Sequence, residues 1–128
     1  MKSPAHDLVV YLASQSVGTW PGTLSVNVEP AEPDDVVTIY DTGGQGPDTD
    51  ELDLMRPTFQ VRVRSQDPEA GYALQERIRD LLMLPGRIVT ADSAFVVITP
   101  TSDIASLGRD DNNRYLTTLN YNAIRERS

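Results

Sequence analysis

The stretch "RPTFQVRVRSQDPEAGYALQERIRDLL" (residues 56–82) decides the fold, because it changes period halfway. Phe59, Val61 and Val63 alternate with Gln60, Arg62 and Arg64, the period-2 pattern of a strand with one apolar and one polar face. Asp67-Pro68-Glu69 then reads as a helix start, with proline early in the helix and acids beside the positive end of its dipole. Leu74, Ile78, Leu81 and Leu82 make an apolar stripe, and Pro85-Gly86 ends it. Glu76 and Arg79 form a surface pair worth about 0.2–0.5 kcal/mol. The stripe can cover the face of Phe59, Val61 and Val63. The two guanidinium groups are left on the other face, which requires water, a partner protein or a polyanion.

Outward from this unit the signals are shorter. Ser3 caps a helix over residues 4–16, with Pro4 at its first position and Ala5, Leu8, Val9 and Leu12 at helical spacing. "TLSVNVEP" sets Leu24, Val26 and Val28 on one side of a strand, and "VVTIYD" (36–41) is a second strand rich in β-branched residues. Residues 42–55 read as a long acidic loop, since Thr42 to Asp53 holds three glycines, Pro47 and the acids Asp48, Asp50, Glu51 and Asp53. "RIVTADSAFVVITP" supplies a broken strand and "RYLTTLNYNAIRER" a long one, joined as an antiparallel hairpin through a polar turn around Gly108 to Asn113. The expected architecture is α+β: a single, mainly antiparallel β-sheet of about four to five strands, with two α-helices on one face. The whole of 1–128 reads as one domain.

Composition narrows the function. A chain of 128 residues and 14.1 kDa can bury a core without staples, and it contains no cysteine, which removes thiolate catalysis and disulfide scaffolding. No apolar run approaches the roughly 20 residues of a membrane span. The N-terminus lacks the continuous apolar segment of a signal peptide, so the chain reads as soluble and made in the cytoplasm. The net charge of −8 is segregated: Met1 to Met55 carries ten acids against Lys2, whereas Arg56 to Ser128 carries ten arginines against nine acids. An acidic surface disfavours tight nucleic-acid binding. Segregated charge suits head-to-tail contact between identical copies, or simply a solvated acidic region.

Catalytic chemistry finds no footing. His6, the sole histidine, lies in the first turn of a helix with no nucleophile motif around it. "GGQG" (43–46) lacks the third glycine of a dinucleotide fingerprint and the lysine of a phosphate loop. Asp48, Asp50 and Asp53 resemble the opening of a calcium loop, but Asp53 stands where glycine is required and Phe59 where the bidentate glutamate belongs. Asp34-Asp35 and Asp110-Asp111 are turn residues. The sequence calls for no enzyme activity, no cofactor and no metal.

The order of elements then carries a resemblance. The run "PDDVVTIYD" (33–41) entering a Gly/Pro/Asp loop, the strand "PTFQVRVR" (57–64) with its following helix, and the aromatic-rich last strand together resemble the small tail-completion and minor capsid proteins of long-tailed bacteriophages. The tail-terminator group is the nearest. The resemblance spans nearly the whole chain and rests on no catalytic signature. It implies a virion protein of the neck, a hexameric ring that caps the tail tube, stops its elongation and docks to the head connector while DNA passes through its lumen. The implied partners are copies of the chain itself, the tail tube protein and the connector protein. Asp48, Asp50, Glu51, Asp53, Arg56, Arg62 and Arg64 are the candidate contact residues. Arg62 and Arg64 have three possible destinations: a neighbour's acidic loop, the lumen, or solvent. A head-completion or connector protein, or a small-molecule or regulatory binding domain, are the alternative readings.

Overall fold

A computed structural model describes residues 1–46 and 53–127. In chain order the elements are helix α1 (Pro4–Ser14), strands β1 (Leu24–Val26), β2 (Val36–Gln45) and β3 (Leu54–Ser65), helix α2 (Pro68–Met83), and strands β4 (Ile88–Val89), β5 (Ser93–Pro100), β6 (Ala105–Arg109) and β7 (Tyr115–Arg127). The strands make a seven-stranded sheet ordered β1-β2-β3-β7-β5-β4, with β6 also paired to β7. The α+β class and the two helices agree with the sequence reading. The strand count does not, and the sheet is mixed, because β1 runs parallel to β2 while the remaining pairs are antiparallel.

The core follows from the alternation in β3. Val61 pairs with Ile39 of β2 and Leu119 of β7, all at most 1% exposed, and Phe59 stacks on Tyr121 with ring centroids 4.9 Å apart. Ile78 and Leu82 of α2 and Leu8, Val9 and Leu12 of α1 join the same cluster. Gln75, at the α2 stripe, is fully buried and donates to the Val61 carbonyl (3.2 Å) and the Thr117 hydroxyl (3.3 Å), which ties the helix to two strands at once. Both helices begin as their caps require: the Ser3 hydroxyl accepts from the His6 amide (3.2 Å) and the Asp67 carboxylate from the Glu69 amide (3.0 Å). Asp41, far away in sequence, accepts from the Ala5 amide at 2.9 Å and so sets a second carboxylate at the positive end of α1.

Several boundaries differ from expectation. The presumed loop at 42–55 is shorter, because β2 continues to Gln45 and β3 starts at Leu54, with Gly43, Gly44 and Gln45 facing Thr58, Pro57 and Arg56. Glycine makes this extension possible: a Cβ on Gly44, at φ +97°, would lie 2.4 Å from the Arg56 carbonyl oxygen. Asp48, Asp50 and Glu51 lie outside the described residues. Val28 is 71% exposed beyond a β1 of only three residues, since Asn27 turns the chain at φ +60°. The polar turn read around Gly108 to Asn113 is preceded by a strand the sequence reading lacked, β6, which takes in Gly108 and leaves the turn to the residues after Arg109. This strand continues the line of β5 along β7, so β5 lies against Tyr121 to Arg127 and β6 against Tyr115 to Thr118. No described helix is long and apolar enough to cross a membrane.

Candidate functional site

The helices occupy one face of the sheet, and the other face is divided in two. At the end formed by the start of β7 and the end of β3, residues 29–35 cross the strands as an acidic strap. Arg64, only 3% exposed, donates to the carbonyls of Pro33 (2.6 Å), Asp34 (3.0 Å) and Ala31 (3.4 Å). Arg114, 6% exposed, donates to the Ala31 carbonyl (2.7 Å) and contacts the Asp34 carboxylate at 3.4 Å. Arg62 meets Glu29 at 3.5 Å, a looser contact that leaves Arg62 Nε and Glu29 Oε1 without partners among the described residues. The β3 alternation therefore sends the guanidinium groups away from the core as the sequence requires. The chain's own strap takes up Arg64 completely and Arg62 in part.

Charge segregation has the same explanation over much of its extent. Four described ion pairs join the acidic first half to the arginine-bearing second half within one chain: Asp7 with Arg125, Glu29 with Arg62, Asp34 with Arg114 and Asp53 with Arg127. The first is buried, and the last is a solvated contact at 3.9 Å that adds little. Sequence reasoning missed Arg114 and Glu29. The signal was present in "EPAEPDD" (29–35), which sets four acids and two prolines just before β2, the hairpin partner of the arginine-bearing β3.

Arg114 is itself positioned by Asp110, whose carboxylate accepts from the Arg114 amide (2.9 Å), the Asn112 amide (3.0 Å) and Arg114 Nε (2.8 Å). The Arg114 backbone N–H first, and its guanidinium after it, hold the Asp110 carboxyl below its ordinary value. A carboxylate whose folded pKa is depressed contributes stability above its unfolded pKa, about 3.9, and loses it as the pH falls through the folded value. Asp110→Asn is therefore expected to flatten the acid limb of a urea midpoint against pH profile below about pH 4, leaving the neutral limb parallel to that of the parent chain.

The other half of this face is an open trough of about 420 Å³. Thr58, Asn122 and Ile124 lie along its floor, with Val97 and Thr99 of β5 on one side and Arg56 and the Gly44-Gln45 end of β2 on the other. Arg56 is half-buried here, and Asp53 is exposed at the foot of the same hairpin, where its carbonyl accepts from the Arg127 amide at 2.9 Å. The structure thus brings Arg56 and Asp53 to the hairpin end of the sheet and Arg62 and Arg64 to the strap end. It does not gather them into one site.

An extended, helix-free sheet face with a fixed acidic strap and a shallow trough suits contact with large partners better than chemistry on a small one. No curated protein matches this sequence. A family model described as bacteriophage tail terminator protein matches residues 11–127. That match includes the last turn of α1, all of α2, the strap, the trough and every described strand, so the chain belongs to the bacteriophage tail terminator family.

Proposed function

We propose that the protein is a non-catalytic component of the virion neck, which closes as a ring of six copies on the last ring of the tail tube, stops its growth and offers a docking surface to the head connector. The observation that carries this reading is the family match over residues 11–127. Copies related by a rotation that divides a full turn meet head to tail and close without leaving free ends. Extension of the sheet from copy to copy is disfavoured, because the edge strands β1 and β4 are only three and two residues long, and β6 and the stretch of β5 beyond its pairing with β4 are both bulged. Subunit contacts then fall to side chains. Asp53, Arg56 and Arg62, with Asp48, Asp50 and Glu51 beyond the described residues, are the proposed contact groups. Arg64 acts on a neighbour only through the strap it fixes.

Sedimentation of the free chain, electron microscopy of particles and mass spectrometry of their proteins test the reading together. The expected result is this chain at the head–tail junction in six-fold symmetry, with abnormally long tails in its absence. Tails of normal length without the chain would reject termination, and its presence only on the head side would favour a connector. Absence from particles would return the protein to the class of small-molecule or regulatory binding domains.

A further inference from the structure

The strap is held unevenly along its length. Its later part is fixed by the two buried arginines, and Gln66 adds two bonds, from its Nε2 to the Asp34 carboxylate (2.7 Å) and from its amide to the Asp35 carboxylate (2.9 Å). Ahead of the strap, Asn27 is clamped to β2. Its amide donates to the Ile39 carbonyl at 2.9 Å, and its side chain exchanges two hydrogen bonds with Asp41, each at 2.8 Å. Between these anchors Val28, Glu29 and Pro30 have one polar tie among the described residues, the contact of Glu29 with Arg62.

That tie is under-bonded. A carboxylate can meet a guanidinium fork through two parallel bonds, one of them from Nε. Here only Arg62 Nη1 and Glu29 Oε2 meet, at 3.5 Å, while Arg62 Nε and Glu29 Oε1 are shielded from water and lack partners among the described residues. Shielded polar groups are normally satisfied, so both gain hydrogen bonds when the pair separates and each finds new partners. Separation requires little movement. The backbone is anchored on either side, and the Glu29 side chain, 19% exposed, has only to turn into water.

We propose that Glu29 occupies Arg62 in the free chain and releases it on assembly, when a carboxylate of a second copy takes its place with the two-bond geometry that Glu29 does not reach. The inference rests on the ring reading given above, with Arg62 as a contact group. Charge favours a second copy as the partner. The chain has 19 acids against 11 lysines and arginines, so a neighbouring copy brings a surface rich in carboxylates. Arg64 and Arg114, held by the strap, do not compete for them. The exchange makes Glu29 a brake: while it occupies Arg62, fewer chains are ready to associate, and the apparent affinity between copies falls by that fraction.

Glu29→Gln tests the exchange, because it keeps the size of the side chain and removes its charge. Assembly is read by sedimentation of the free chain and by titration of bare tail tubes, so a chain that is a monomer alone still gives a result. Glu29→Gln is expected to assemble at a concentration about two- to fivefold lower than the parent. Arg62→Gln should need a higher concentration, and Glu29→Gln added to it should change nothing further. Equal assembly by Glu29→Gln and the parent would overturn the exchange, while a defect in Arg62→Gln alone would leave the ring contact standing. Parent-like assembly by Arg62→Gln would reject both. Unfolding of either variant would also overturn the proposal, since a pair on which the fold depends is not free to exchange. The chain has no cysteine, so one benzophenone-labelled cysteine at Gln60, two residues from Arg62 on the same strand face, identifies the partner in assembled particles. Crosslinks between copies of the chain are expected, and crosslinks only to another virion protein would overturn the assignment of the partner.

Discussion

Arg64→Ala is expected to lower the unfolding free energy by about 2–4 kcal/mol, although Arg64 stands on the polar face of its strand. Its guanidinium makes three hydrogen bonds to strap carbonyls and is shielded from water. Charge-assisted bonds of this kind contribute roughly 1.5–3 kcal/mol each, and they are not additive. The loss stays below their sum because a frayed strap lets its carbonyls return to water. Arg64→Lys keeps the charge but offers a single point of donation, so it should recover only part of the loss. Arg64→Glu should be worse than alanine, since it sets a carboxylate against carbonyl oxygens. Arg62→Ala, at a partly buried and loosely paired contact, should cost less than Arg64→Ala. Urea unfolding gives the magnitudes, and amide exchange across residues 29–35 shows whether the strap is what opens. A change below about 0.5 kcal/mol for Arg64→Ala, with the strap still protected, would mean that other contacts hold it.

The contrast between these neighbouring arginines shows what was legible in the sequence. Alternation in residues 59–64 correctly separates a core face from a guanidinium face, and the 3.6-residue stripe of residues 74–82 correctly supplies the helix that covers the core face. Both are local periodicities, fixed by backbone geometry. What lies against the guanidinium face is a non-local matter. Residues 29–35 are separated from Arg64 by the whole β2–β3 hairpin, and nothing in either segment's pattern fixes their meeting. The parallel pairing of β1 was hidden in the same way, since a three-residue strand has too little pattern to show its direction. β6 was missed because its residues are all exposed and its sequence is rich in turn formers, so only pairing with β7 makes it a strand. The hairpin was misread as loop from Thr42 to Gln45, where glycines serve a bulged ladder rather than a flexible tip. The contact sites were least legible of all, because segregated charge reads alike whether it is neutralised within a chain or between chains.

Asp7→Ala is expected to be the most damaging single substitution, at about 3–5 kcal/mol. Asp7 is 5% exposed in the first turn of α1, and its Oδ2 accepts from Arg125, the Thr90 hydroxyl (3.2 Å) and the Ser93 hydroxyl (3.2 Å). Arg125, 2% exposed near the end of β7, also donates to the Lys2 carbonyl (2.6 Å) and to Ser93 Oγ (3.1 Å), with its guanidinium carbon 5.3 Å from the centre of the Phe95 ring. Three chain segments distant in sequence are therefore joined at one buried pair. Removing the carboxylate leaves a guanidinium in a space closed to water, and that uncompensated charge, more than the lost bonds, sets the cost. Asp7→Asn should fall between the two, because the amide can still accept from Arg125 without balancing its charge. The decisive comparison is Asp7→Leu with Arg125→Met, which removes both charges and should be markedly less destabilised than Asp7→Leu alone. A double mutant as unstable as the sum of its singles would show that the two side chains are not coupled. Because the pair anchors the start of α1 to the edge built from β4, β5 and the end of β7, the single Asp7→Ala should also speed amide exchange in Ser93 to Phe95 before the chain unfolds globally.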